Sequence, residues 1–385
     1  MKKGMKKYTI TLLSFIALLH VWNQTEAEVS GPPTIHLRVM ETTDLHGNMI
    51  GYDYEDRRKT VEFGLSRTAS LIKQARKESP NSLLFDNGDI LEGNGLDEYA
   101  YRSHPLDMAN VHPVFKAMNT LLYDAATVGN HEFNYGIDFM EESLRGANFP
   151  YVNANIYVED GNQLEEDDLN YFNPYTIIEK EVTDTAGEKH QLNVGVIGFI
   201  TPIVAEWNKE YFRGNLKVKN IKETAEHFIP IMKSKGADII VALAHTGLQS
   251  DKGLEEKKGN SVQALSKVKG IDAILFGHSH SVFPVKDELQ KVPGIDLKTG
   301  TINGTAAVQA GYWGNHLGLI DLKIAFEDRE WKVKSSLSSI RPVYRTIKSK
   351  KKEVIPGDPL IEQIMKKDHQ DALDFLKHNR VGGGD

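Results

Sequence analysis

The sequence predicts a layered α/β domain, and two observations carry that reading. Apolar runs rich in β-branched residues alternate with stretches whose apolar residues recur at helical spacing. Five of the apolar runs also finish in carboxylate, amide or imidazole side chains, as strands do when their carboxyl ends surround a ligand. Ahead of the domain, Lys2, Lys3, Lys6 and Lys7 precede an apolar run from Ile10 to Val21 that is too short to span a bilayer. "TEAE" follows, with small residues at Thr25 and Ala27. Residues 1–27 therefore read as a secretory signal that is removed, and the mature chain is expected to be secreted or held in the cell envelope.

"TIHLRVMETTD" is expected as the first strand, and "VEFGLSRTASLIKQARKES" as a helix stopped at Pro80. "NSLLFDNGD" reads as a short buried strand, "HPVFKAMNTLLY" as a helix and "DAATVGNHE" as the next strand. "QLNVGVIGFITP", "ADIIVALAHTG" and "IDAILFGHSH" are further buried runs, with "IKETAEHFIPIMKSKG" and "NSVQALSKVK" as helices between them. "TAAVQAGYWGNHLGLIDLKIAFED" and "EWKVKSSLSSIRPV" read as a closing β-hairpin. "KSKKKEV" is a solvated charge run serving as a linker. "PGDP" supplies an Asp N-cap with proline at the first helical position. "LIEQIMKKDHQDALDFLKHN" then reads as one amphipathic helix, ending at "RVGGGD".

At 385 residues and 40% hydrophobic content, the chain can bury a large core. Its formal charge is −7, and loss of residues 1–27, with four lysines and one glutamate, takes it to −10. So acidic a chain is poorly suited to gripping nucleic-acid polymers by their phosphates, though not to holding a small nucleotide through metals. The absence of cysteine excludes a disulfide frame and thiolate chemistry. His, Asp, Glu and Asn are left to hold any transition metal. With no second hydrophobic segment, stable membrane insertion is not expected after processing.

The strand ends carry the chemistry. The first closes in Thr43-Asp44-Leu45-His46, the second in Asp86-Asn87-Gly88-Asp89 and the third in Gly129-Asn130-His131-Glu132. Later runs close in His245 and in His278-Ser279-His280. Singly, each has an ordinary explanation: a loop pair for Asp44 and His46, a turn residue for Asp89, a hydrogen-bonded core histidine for His245. At matching strand ends they would converge. On an extended segment His278 and His280 would share a face, with Gly277 allowing a close turn.

Seven donors, Asp44, His46, Asp89, Asn130, His245, His278 and His280, exceed one four-ligand site. Two sites sharing a carboxylate use all of them. Imidazole with hard oxygen suits Zn, Mn, Fe or Co. Two such divalent ions, about 3.5–4 Å apart, stabilise the attacking and leaving oxygens of an in-line displacement, as phosphoester hydrolysis requires. His131, beside Asn130, can donate a hydrogen bond to a phosphoryl oxygen or a proton to a departing alkoxide, or else buttress the centre. His316, in "GYWGNHLG", is expected to pack.

The series "TTDLHG", "DNGD", "VGNHE", "AHTG" and "GHSH" resembles the calcineurin-like metallophosphoesterases, in their 5′-nucleotidase branch, over roughly residues 34–345. "TTDLHGNM", "FDNGDILEGN", "VHPVFKAMN" and "VGNHEFNYG" look like the bacterial 2′,3′-cyclic-nucleotide 2′-phosphodiesterase/3′-nucleotidases, which are secreted or periplasmic scavenging enzymes. The resemblance implies a four-layer α/β β-sandwich flanked by helices, with a catalytic domain over 28–345 and a linker and connecting helix over 346–385. It implies one metal on Asp44, His46, Asp89 and His280, and a second on Asp89, Asn130, His245 and His278, with His131 as the catalytic histidine. In 5′-nucleotidases an Asp three positions later orients that histidine. Here Asn134 stands there, an amide that can hydrogen-bond the ring but cannot stabilise its charged form.

Family members continue into a C-terminal domain whose aromatic residues stack on the base. This chain stops at Asp385, so that domain is expected to be absent and base preference to be weak. The implied activity is hydrolysis of 2′,3′-cyclic nucleotides to 3′-nucleotides, and then to nucleoside and phosphate. A 5′-nucleotidase or nucleotide-sugar hydrolase would use the same metals. A degenerate fragment that only binds metal or a partner is the rival from outside enzymology.

Overall fold

The computed structural model describes residues 33–103, 106, 110–162, 164, 167–248, 260–285 and 287–379. The expected signal at 1–27 and the terminal "RVGGGD" lie outside them. The five strands of the first sheet lie in the order Glu330–Pro342, His316–Glu327, Thr34–Thr42, Ser82–Asp86 and Ala125–Ala126. The last three run parallel to one another. The second sheet centres on Ile239–His245, parallel to Lys189–Ile200 on one side and Ala273–Phe276 on the other. Tyr175–Thr183 closes one edge. Thr305–Ala310 extends the other, with the short strands Thr301–Ile302, Ile295–Asp296 and Val282–Phe283 beyond it.

Burial follows this arrangement. Ser82–Asp86, Ile239–His245 and Ala273–Phe276 are buried at every residue, as parallel strands covered on both faces must be. Between the sheets, Ile35, Leu37 and Val39 pack in one cluster with Val194, Val196, Val241, Leu243 and Leu275. Outside the first sheet, Met40, Leu84 and Ala126 pack with the helices Leu65–Glu78 and Pro113–Leu121. The helix Ile221–Ser234 covers Ile197, Ile240 and Ile274 of the second. The expected four-layer sandwich, helix on sheet on sheet on helix, is what these residues build.

The helix Pro359–Asn379 adds Ile361, Met365 and Ala372 to the outer cluster of the first sheet. Its expected cap is in place: Asp358 Oδ1 accepts from the backbone N–H of Leu360 at 3.2 Å and of Ile361 at 3.3 Å. Lys116 Nζ holds the buried Asp368 at 2.8 Å. No helix among the described residues is long and apolar enough to cross a membrane.

Four local expectations change. Thr305–Ala310 does not join the closing hairpin but pairs with Ala273–Phe276 in the second sheet. A turn with positive φ at Gly311, Trp313 and Gly314 then crosses to the first sheet, where His316–Glu327 and Glu330–Pro342 form the hairpin. "NSVQALSKVK" yields a single turn, Val262–Leu265. "DAATVGNHE" contributes two strand residues before its polar end leaves the sheet. Lys350–Glu353, exposed as expected of the basic run, pairs with Tyr344–Ile347 as a hairpin instead of trailing as a linker.

Candidate metal centre

Five strands that run parallel within their sheets end at one edge of the sandwich, and the predicted donors meet there. His280 Nε2 lies 3.3 Å from Asp44 Oδ1 and 3.1 Å from His46 Nε2. His46 Nε2 is 3.9 Å from Asp89 Oδ2, which is 3.0 Å from His245 Nε2. Asp44, His46 and His280 form one group, and Asp89, His245 and His278 another. His46, Asp89 and His131 join the two, and within each group the ligand atoms lie within 4.8 Å of one another.

The far side of two rings fixes their tautomers. His46 Nδ1 donates to the carbonyl of Glu92 at 2.6 Å, and His245 Nδ1 to the carbonyl of Asn87 at 2.7 Å. Both Nε2 atoms therefore face inward, as they do where imidazole binds metal. Asn130 Oδ1 is buried with no hydrogen-bond partner among the described residues. Such an orphaned acceptor is costly to leave unmet. Together with the carboxylates and the inward-facing imidazole nitrogens it fits divalent cations.

Electrostatics agree. Burial opposes charge on Asp89, yet the surrounding His245, His131 and His46 outweigh it and hold the carboxyl well below its usual range. Burial and then the neighbouring His245 push the His278 imidazole down to about 4, so it keeps a free lone pair at neutral pH.

The backbone at the ligands is unusual. Asp44, His46, Asp89, His278 and His280 all have φ between 45° and 70°. Left-handed backbone costs a side-chain-bearing residue about 1–2 kcal/mol and gathers at functional sites. It also revises the extended-segment expectation for His278 and His280. Each turns, and they serve opposite groups. Two glycines allow the approach: a Cβ at Gly129 would stand 2.2 Å from Asp89 Oδ1, and one at Gly277 2.2 Å from Thr43 Oγ1.

Glu132 is fully buried and has no counter-ion among the described residues; it ties two loops together instead. Its oxygens accept from the N–H groups of Asp89 at 2.8 Å, Ile90 at 2.5 Å, Leu91 at 3.1 Å and Gly129 at 2.5 Å. His131, the residue before it, is half-buried at the mouth, its ring 4.8 Å from that of His46. Its Nδ1 meets Glu92 Oε2 at 2.5 Å, and Asn134 Nδ2 lies 3.0 Å from the same nitrogen. Burial lowers the affinity of this imidazole for a proton, but Glu92 and Asp89 more than offset it and raise it above its ordinary value.

Sequence reasoning singled out every residue of this cluster but missed its surroundings. Glu92 lies three residues after Asp89 in "DILEGN", where nothing in the spacing marks it. Trp207, half-exposed, leans on the His278 ring at 5.4 Å, and Tyr312 stacks on His280 at 5.0 Å. Neither carried any periodic signal.

Carboxylate, amide and imidazole donors gathered at the carboxyl edge of a two-sheet sandwich define a class of metal-dependent hydrolase. The chain belongs to the calcineurin-like phosphoesterase family, whose model matches residues 37–282. It is 43% identical over 367 residues to a 2′,3′-cyclic-nucleotide 2′-phosphodiesterase/3′-nucleotidase of Yersinia enterocolitica, covering 94% of this chain and 54% of the relative. It is 40% identical to the trifunctional nucleotide phosphoesterase YfkN of Bacillus subtilis, covering 91% of this chain and 23% of the relative. The chain thus spans about half the length of the first of these curated relatives and less of the second. The crystal structure of the calcineurin-like phosphoesterase YfkN from Bacillus subtilis superposes with a TM-score of 0.81 at 40% identity, covering 90% of this chain and 100% of that one.

Proposed function

We propose that the protein is a dinuclear-metal phosphoesterase that opens 2′,3′-cyclic nucleotides to 3′-nucleotides and then releases phosphate. The observation that carries this reading is the pair of donor groups sharing the Asp89 region, with His131 beside both. Asp44, His46, Asp89 and His280 would hold one ion, and Asp89, Asn130, His245 and His278 the other. When bound, such ions neutralise charge on a phosphoryl group and lower the pKa of coordinated water. The named activity of the Yersinia relative supports the choice of substrate.

The remaining steps belong to the side chains. Glu92 accepts from His131 Nδ1, so the protonated ring has its Nε2 proton left to give to the departing 2′-oxygen as water attacks phosphorus from the opposite side and loses its own proton to solvent. The 3′-phosphate can then bind again and lose its ester bond to the ribose. A charged n-region and short apolar run ahead of residue 28 support action outside the cytoplasm, in nutrient scavenging.

The test is product analysis on 2′,3′-cyclic AMP. The purified chain is expected to form 3′-AMP first and adenosine later, and His131→Ala to lose about a hundredfold in kcat. Release of 2′-AMP, or an unchanged His131→Ala, would sink the assignment.

A further inference from the structure

Among the described residues around the centre, Glu92 is one whose two ends serve different rings. Its backbone carbonyl accepts from His46 Nδ1 at 2.6 Å, and its carboxylate Oε2 meets His131 Nδ1 at 2.5 Å. Asn134, from the loop that carries His131, donates from Nδ2 to the same Oε2 at 3.3 Å. Asn134 Nδ2 also lies 3.0 Å from His131 Nδ1. These two nitrogens cannot both donate to each other, so the carboxylate between them is the natural acceptor for both.

We infer that Glu92 is a positioning residue for His131, supplying from the Asp89 loop the carboxylate that position 134 lacks. Asn134 holds Glu92, and Glu92 holds the imidazole. The order is amide, carboxylate, ring. A carboxylate on Nδ1 fixes the orientation of the ring and leaves Nε2 as the nitrogen free to reach a leaving oxygen. The chain therefore keeps an anionic partner for its histidine although the residue three places along is neutral. The inference rests on the proposed role of His131, and the experiment separates the two.

Glu92→Gln keeps the side-chain length and leaves the backbone carbonyl on His46 in place, so bound metal should be unchanged by elemental analysis. On 2′,3′-cyclic AMP, whose leaving group is an alkoxide that needs a proton, kcat should fall at least about tenfold, with KM within about twofold. On bis(p-nitrophenyl) phosphate, whose leaving group departs as a stable anion, the loss should stay within about threefold. In the His131→Ala background, Glu92→Gln should add no further loss, because residues acting as one unit are not additive. Adding Asn134→Asp to Glu92→Gln should restore most of kcat, since that side chain already reaches the same nitrogen.

Equal losses on both substrates, a further loss on top of His131→Ala, or reduced metal content would each overturn the inference. So would Glu92→Gln at full activity while His131→Ala is impaired, which leaves the role of His131 standing. Full activity in His131→Ala would instead remove the reading on which the inference rests, and the inference with it.

Discussion

At the scale of single residues, the centre depends on groups that would be liabilities anywhere else. Glu132 is a buried carboxylate whose partners among the described residues are four backbone N–H groups, and it joins the loop of Asp89 to the loop of Asn130. Glu132→Gln would turn an NH2 group toward two of those donors. Urea unfolding in the presence of a chelator should then show a loss of about 2–3 kcal/mol, the size of a charge-assisted hydrogen bond. His316, expected to pack, is half-buried, with Nδ1 2.6 Å from Asn315 Oδ1. Burial pushes its imidazole from 6.5 down to about 4. The folded protein therefore keeps it neutral while the unfolded chain takes up a proton, so stability should fall as pH drops from about 6.5 to about 4. His316→Gln should flatten that part of the stability profile, and an unchanged slope would exclude the assignment. The seven donors and His131 were legible as polar residues closing apolar runs. Glu92 and Trp207 were not, because each acts through a contact that sequence spacing does not encode.

At the scale of elements, periodicity identified what packs and missed what turns. Leu65–Glu78, Pro113–Leu121 and Ile221–Ser234 have apolar faces buried against a sheet, and their patterns made them visible. Thr305–Ala310 is as apolar as a hairpin strand. Only the positive-φ turn at Gly311, Trp313 and Gly314 sends the chain to the other sheet, and that choice is tertiary. "NSVQALSKVK" has helical spacing but too little length to extend past one turn. The terminal helix combines a legible cap with an illegible docking surface. Asp358 both caps it and receives Lys73 Nζ at 2.5 Å. Asp358→Ala should cost about 1 kcal/mol by thermal unfolding, concentrated in that helix. A neutral result would mean the helix is held by its apolar contacts and the Lys116–Asp368 pair without help from the cap.

At the scale of the whole molecule, neither sheet makes the centre by itself. The first contributes Asp44, His46, Asp89, Asn130 and His131, and the second His245, His278 and His280. Ions bound between them would link closure of the sandwich to ligand loading, so chelation should lower the melting temperature and added divalent metal should raise it with concentration. His131→Ala should respond like the parent chain, whereas Asp89→Asn should not, because Asp89 serves both groups. The central claim is a centre of two ions, and the most direct measurement is a metal titration of the chelated chain followed by hydrolysis of 2′,3′-cyclic AMP. Activity that is absent in chelator and reaches its plateau at two equivalents of Mn is the predicted result. Full activity in chelator, or a plateau at one equivalent, would contradict it.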